Sequence, residues 1–386
     1  MLMALKHMTM KFVSWQPGKI VFGTNSLSLI GEEVRRWGTK AILVTGRTFA
    51  RKYGYTDYIT KKLEEAGLKV TVFDKVEPNP SAETVDKGAK AVVEFGADVV
   101  VAFGGGSPMD AAKGIAVVSV LGGSAYDYFY PRVIEEEVLP VIAVPTTAGT
   151  GSEVTRYAVI TDTKQNKKKV IVGYPIIPKT AILDPTVLKH MSPELTAWTG
   201  FDALSHAVEA YLSVKADPLS DIYAERAVRL IFDWLGDAVK GSLEAREKVY
   251  FASMLAGFAI NHAGTMMVHG LGYYLTTKFN VHHGLANALL LPHALELISE
   301  KEPEKIERLG VMIGVGRSVE FFVRELKKLE DEVRIPKSIA EVGFKEENLD
   351  EAVKESLSYE RNLQNTPIPI NEKVVREVYR AALKGR

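Results

Sequence analysis

A change of rhythm partway along the chain limits its fold more than any other feature of the sequence. In the first half, short β-branched runs at 41–45, 70–73, 98–103 and 141–144 alternate with segments at 57–67 and 81–96 of helical apolar spacing. Strands alternating with helices predict a parallel sheet covered on both faces. From about Pro193 onward the runs at 197–211, 217–235, 245–275, 285–298 and 319–329 are all helical in spacing, with no strand pattern among them. Val319, Phe322, Val323 and Leu326 illustrate it, and Pro336 follows the charged end of that run. The expected fold is an α/β domain with a parallel sheet, followed by an all-α domain. The division is expected between 1–188 and 189–386, where Asp184-Pro185 and Ser192-Pro193 interrupt apolar sequence. With no internal repeat and no low-complexity linker, the halves should pack together, and the cleft between them is the expected place for a site.

Composition narrows the function classes. Forty-eight Lys and Arg balance forty-eight Asp and Glu, so no overall basic field favours nucleic acid or an acidic membrane. The absence of cysteine excludes disulfides, thiolate metal sites and cysteine nucleophiles, leaving His, Asp and Glu to bind any metal. Met1-Leu-Met-Ala-Leu-Lys-His-Met8 is too short an apolar run for a signal peptide, and the expectation is a cytoplasmic protein. The charge runs at 135–137 and 167–169 read as solvated loops. Few Asn and Gln beside many Glu, Lys and Arg point to a thermophilic source.

The run at 98–103 leads into Gly104-Gly-Gly-Ser-Pro-Met-Asp-Ala-Ala-Lys113. Ser107 suits an N-cap, Pro108 the first helical position and Asp110 the capping-box acid. Glycines let backbone N–H groups approach an anion at a helix N-terminus, the outline of a diphosphate site, although the G-x-G-x-x-G fingerprint is absent because its last glycine would fall at Met109. A tight strand-to-helix turn explains the same glycines. Pro145-Thr-Thr-Ala-Gly-Thr-Gly-Ser-Glu153 follows the run at 141–144 with hydroxyls and backbone freedom, so that small donors stand at the ends of two strands, as a nucleotide requires.

Six of the eight histidines lie between residues 206 and 293. Asp202 and His206 stand four apart in a helical pattern and project from one face. His269 follows on a later helix, with Tyr273 four residues on and His262 seven back, while His282 and His283 precede the run at 285–298. One carboxylate and three neutral imidazoles would hold a divalent cation such as Fe(II) or Zn with positions open for substrate. Spacing alone does not choose between His282 and His283, and satisfied core histidines would give the same pattern.

Together these segments resemble the iron-containing (group III) alcohol dehydrogenases of the dehydroquinate synthase-like superfamily. The resemblance is carried by Pro17-Gly-Lys-Ile-Val-Phe-Gly23, the glycine turn at 104–113, Pro145-Thr-Thr-Ala-Gly-Thr-Gly-Ser-Glu-Val-Thr155, Gly200-Phe-Asp-Ala-Leu-Ser-His-Ala-Val-Glu-Ala-Tyr211, His283-Gly-Leu-Ala-Asn-Ala288 and Asn365-Thr-Pro367, across essentially the whole chain. It implies hydride transfer between a nicotinamide cofactor and a small alcohol or aldehyde, with Asp202, His206, His269 and His283 as metal ligands and His282 a bystander. It further implies that Gly104, Gly105, Gly106, Ser107 and Asp110 hold the cofactor diphosphate. Thr146, Thr147, Thr150 and Ser152 match the second cofactor loop, and Lys168 matches a lysine that reaches the cofactor ribose. Members assemble through their N-terminal strands, so a homodimer or larger homo-oligomer is implied.

Two positions depart from the family's pattern. NAD-preferring members often carry an Asp after the first of these strands, where this chain has Gly46-Arg47. Loss of that carboxylate removes repulsion of a 2′-phosphate, and Arg47 could pair with it, so NADP is expected to be preferred over NAD. Many members also place a proton-relay histidine where this chain has Tyr273, leaving Tyr273, His262 or water for that role. A zinc polyol dehydrogenase and, less closely, a dehydroquinate synthase-type lyase are the alternative readings.

Overall fold

The computed structural model describes residues 12–386, so the opening run Met1 to Met8 lies outside the described residues. Eight strands follow in order: β1 (Lys19–Phe22), β2 (Lys40–Gly46), β3 (Lys69–Val76), β4 (Val99–Gly104), β5 (Val141–Pro145), β6 (Tyr157–Asp162), β7 (Lys167–Val172) and β8 (Thr180–Leu183). Six form one wholly parallel sheet in the order β1-β8-β5-β4-β2-β3, and β6 and β7 form a separate antiparallel hairpin. Every residue of β4 and β5 is buried, as a central parallel strand with both faces covered demands.

Alternate residues of the central strands belong to two different cores. Ile42, Val44, Val100, Ala102 and Ala143 pack with the helices Ala82–Phe95 and Gly106–Leu121. Leu43, Val101, Phe103, Ile142 and Val144 face the other way and join a core that continues without break through Phe201, Leu204, Tyr250 and Leu271 of the helical half. That shared core fixes the helices over the C-terminal ends of β4 and β5. At its tightest point Gly151 meets Gly257 of the helix Leu243–Ala263, where a Cβ on Gly151 would lie 2.5 Å from the Gly257 Cα.

The expected strands are present, and β1, β6, β7 and β8 are additional. The lysines at 167–169, read as a solvated loop, lie instead in β7, with Lys168 buried. The single helix expected over 245–275 is two, Leu243–Ala263 and Met267–Phe279, bent by 112°. Gly264 makes the break with φ of 71°, and Asn365 Nδ2 donates to the Thr265 carbonyl at 2.8 Å to hold the turn. No single helix among the described residues is long and apolar enough to cross a membrane.

Candidate active site

A cavity of about 630 Å³ lies between the strand ends and the helical half. One wall is built from backbone. The helix after β4 begins at Gly106 with Gly105 as N-cap, and no side chain caps it. The capping expected of Ser107 and Asp110 is therefore corrected. Ser107 Oγ accepts the Asn79 amide at 3.2 Å, and the Asp110 carboxylate is drawn away to Ser152 Oγ at 2.6 Å and the Val159 amide at 3.0 Å. The first-turn N–H groups stay uncapped toward the cavity, which is the condition for anion binding at a helix start. The glycines are required here for contact between loops, because a Cβ on Gly106 would lie 2.7 Å from Thr150 Cγ2 and one on Gly105 would lie 3.2 Å from Thr147 Oγ1. A nucleotide diphosphate fits this cradle.

Behind the wall sits Lys113, fully buried. Its Nζ donates to Ser152 Oγ at 2.8 Å, the Thr155 carbonyl at 2.9 Å and the Tyr157 carbonyl at 2.8 Å, fastening the second loop to the helix after β4. Burial moves each partner toward neutrality: the lysine falls to about 8, Glu153 rises to about 7, and Asp110 also rises. Lys168 lines the cavity from β7 and donates to Asn79 Oδ1 at 2.8 Å and Thr161 Oγ1 at 3.2 Å. At the far end Gly46 and Arg47 line the cavity, with the Arg47 guanidinium 3.3 Å from Glu77 Oε2. Burial favours the neutral form of Glu77, but hydrogen bonds from Ser81 and Thr84 outweigh it and hold the carboxyl below its usual range.

The opposite wall is built from ionisable side chains. Asp202 and His206 lie one turn apart on Pro193–Leu212, His269 on Met267–Phe279, and His283 opens His283–Ile298. One ligand atom from each of Asp202, His269 and His283 falls within 4.8 Å of the others. The His206 ring lies outside that group of three but stacks on His269 with centroids 4.5 Å apart, its Nδ1 turned to the Gly149 carbonyl at 3.3 Å. Burial pushes His206 down to about 4 and His283 down to about 3, so both are neutral imidazoles at pH 7, the form that donates a lone pair. Burial raises the Asp202 carboxyl, but attraction to the neighbouring imidazoles in their charged form, His206 first, outweighs it and sets the carboxyl below its usual range.

His269 supplies the test of fit. Its Nδ1 bonds the buried Glu209 carboxylate, which also accepts the Val268 amide at 2.7 Å, while its Nε2 is buried without any partner and lies 3.8 Å from Asp202 Oδ1. A buried imidazole nitrogen is not left unpaired at this cost without a function, and a carboxylate on the far nitrogen is the usual way a ligand histidine is oriented. The donor set fits a divalent cation. Asn287 closes the same cluster, donating to Asp202 Oδ1 at 3.0 Å.

All the sequence-predicted residues line this cavity except His262. The bend at Gly264 puts His262 on the other side, with Nδ1 against Asp217 Oδ2 at 2.9 Å and Nε2 against Ser14 Oγ at 3.0 Å, so the relay role weighed for it is withdrawn. His282 lines the cavity, but its side chain caps its own helix by accepting the Gly284 amide at 3.2 Å. Tyr273 stacks on His283 with centroids 5.2 Å apart, and burial pushes its hydroxyl up to about 12. Sequence reasoning missed Glu209, Asn287 and Lys113. The first two had a signal, standing seven residues after Asp202 and four after His283, on the ligands' own helix faces.

Comparison with known proteins shows the family. The family model described as iron-containing alcohol dehydrogenase matches residues 17–185, and the C-terminal model of the Fe-containing alcohol dehydrogenase family matches 196–383. The 1,3-propanediol dehydrogenase of Citrobacter freundii is 37% identical over 377 residues, covering 95% of this chain and 97% of the relative. The NAD-dependent methanol dehydrogenase of Bacillus methanolicus is 33% identical over 343 residues, covering 86% and 90%. The structure of an iron-containing alcohol dehydrogenase from Thermotoga maritima superposes with a TM-score of 0.87 at 37% identity, covering 97% of this chain and 100% of that one.

Proposed function

The chain belongs to the iron-containing alcohol dehydrogenase family, and from that premise we propose that it interconverts small alcohols and aldehydes with NADP preferred, at a centre formed by Asp202, His206, His269 and His283. The observation that carries this reading is the unpartnered Nε2 of His269, facing Asp202 and His283 across a cavity from an uncapped helix N-terminus. When bound, Fe(II) or Zn would supply Lewis acidity that favours the alkoxide of an alcohol, and the nicotinamide cofactor would supply the hydride acceptor.

The chain's own groups position and exclude. Gly104, Gly105, Gly106 and Ser107 receive the diphosphate on backbone N–H groups, with Asp110 orienting the second loop from behind. Thr146, Thr147, Thr150 and Ser152 form that loop, and Lys168 is aimed at the cofactor ribose. Burial pushes the Tyr273 hydroxyl up to about 12, which favours its neutral form. In that form it passes a proton by accepting one while donating its own. At the adenosine end Arg47 offers a guanidinium to a 2′-phosphate, and its pairing with Glu77 moderates that preference. We propose further that β1, an edge strand of the sheet, pairs with another copy of the chain to give a homodimer or larger assembly.

The deciding experiment uses enzyme stripped of metal and reloaded anaerobically with Fe(II) or Zn, with primary alcohols, diols and aldehydes, and NADP and NAD in parallel. Metal-dependent turnover is expected, with higher kcat/KM for NADP and a loss of about tenfold for NADP alone in Arg47→Ala, the scale of one charge-assisted contact. Higher efficiency with NAD would overturn the NADP preference. Absence of turnover in protein that binds both metal and cofactor would overturn the dehydrogenase reading for these substrates.

A further inference from the structure

A second cavity of about 320 Å³ adjoins the main one, and the two share Val159, Lys168, Tyr273 and Arg361 as lining residues. The second cavity lies between the β6–β7 hairpin and the segment around the short helix Glu360–Leu363. Its lining is strongly basic: Lys167, Lys168, Lys169 and Arg361, against the single carboxylate of exposed Glu360. Arg361 has no ion-pair partner among the described residues. Its guanidinium lies over the Tyr157 ring, 4.8 Å from the centroid, and the Arg156 guanidinium lies 5.4 Å from the same ring. Burial alone would raise the Tyr157 hydroxyl, yet the two arginines outweigh it and lower it.

A guanidinium on the wall of a reaction cavity, without an acidic partner, is a receptor for an oxyanion, because its planar fork matches a carboxylate or related head group through two parallel hydrogen bonds. Lys168 stands beside it on the cofactor side, but its Nζ is already committed to Asn79 and Thr161. Lys167 Nζ is committed to Ser358 Oγ at 3.1 Å, and of the groups left Arg361 is the one that lines both cavities. The diphosphate does not need it, since that cradle lies at the start of the helix after β4.

We infer that the substrate is a small aldehyde or alcohol whose far end carries an anionic oxygen head group. That head group is bound by Arg361 in the basic side cavity, and the reacting carbon lies toward Asp202, His269 and His283. The inference rests on the dehydrogenase reading and names its substrate class. In the reducing direction the carbonyl carbon takes hydride from the reduced nicotinamide and its oxygen takes a proton, while the head group is unchanged.

The test compares matched pairs in metal-reloaded enzyme with reduced cofactor: 4-oxobutanoate against butanal, and 5-oxopentanoate against pentanal. Wild type should favour the anionic member of at least one pair. In Arg361→Leu the ratio of kcat/KM, anionic over neutral, should fall between about 10- and 100-fold, chiefly through KM, with partial recovery in Arg361→Lys. A wild-type preference for the neutral member in both pairs, or a ratio unmoved by Arg361→Leu, would overturn the inference. Calorimetric binding of succinate to the enzyme with cofactor keeps the two readings separable. If no aldehyde turns over but succinate binds in wild type and not in Arg361→Leu, the dehydrogenase reading fails and the anion site stands. If succinate does not bind wild type, or binds both alike, the anion site fails.

Discussion

The two walls of the cavity are made of different materials. The α/β wall offers backbone N–H groups, glycines and hydroxyls around the diphosphate cradle, with Lys113 locked behind it and the charges of Arg47 and Lys168 set to either side. The helical wall offers a carboxylate and imidazoles from three helices, aimed into the cavity and held by Glu209 and Asn287. One wall recognises by shape and the other by protonation state. They should therefore fail separately under mutation and under pH.

The largest separation is expected from Asp202→Ala. Losing the only carboxylate of the centre should cost at least about a thousandfold in kcat/KM, since Lewis-acid stabilisation contributes several kcal/mol to such reactions. Metal content measured by emission spectrometry should fall with it, while the dissociation constant of reduced cofactor, read from nicotinamide fluorescence, should barely move. Unchanged metal content would mean that the histidines suffice and the walls are less distinct than described.

Gly106→Ala is the converse. The added methyl would sit 2.7 Å from Thr150 Cγ2, so the two loops must part. Cofactor affinity should weaken by about 10- to 100-fold, the cost of roughly 1–3 kcal/mol for overpacking a tight contact, with metal content intact. Loss of metal as well would show that the walls are coupled through the loop at Gly149 to Gly151.

Acid and base should also act on different walls. His206, near 4 in the folded metal-free protein against 6.5 unfolded, contributes stability that is fully present above about 6.5 and lost as pH falls toward 4. By pH 5 the loss should be of order 2 kcal/mol, visible as a lower Tm in metal-stripped enzyme and reduced by metal. Glu153 runs the other way: raised to about 7, it favours the fold in acid and loses that contribution as pH rises through 7. In a Glu153→Gln background, which removes that opposing contribution, a Tm that is flat between pH 5 and 7 in the stripped protein would contradict the burial argument for His206.

The same contrast explains what was legible in the sequence. Central strands buried on both faces leave unbroken apolar runs, so β2, β4 and β5 could be read directly, and the edge strand β3 was read from its β-branched run at 70–73. The four-residue strands β1 and β8 could not, because so short a run is fixed by its neighbours in the sheet rather than by its own pattern. The glycine turn gave its place but not its cap, since Ser107 and Asp110 were claimed by Asn79 and Ser152, distant in sequence. On the helical wall the residue types stood out, yet resemblance, not spacing, selected His283. What hid His262's true place was a single residue, Gly264, whose left-handed backbone turned one expected helix into two. Arg361 carried no signal at all, because its cavity exists only once the β6–β7 hairpin meets the segment near the C-terminus.

The contact between Gly151 and Gly257 joins the two walls with no side chain in between. The gap across which cofactor and substrate must meet is thus gauged by the thickness of two peptide backbones. Side-chain spacers change rotamer and swell with heat, whereas bonded backbone dimensions hardly vary. A joint of this kind keeps its tolerance over a wide temperature range, and two missing methyl groups set the working clearance of the machine.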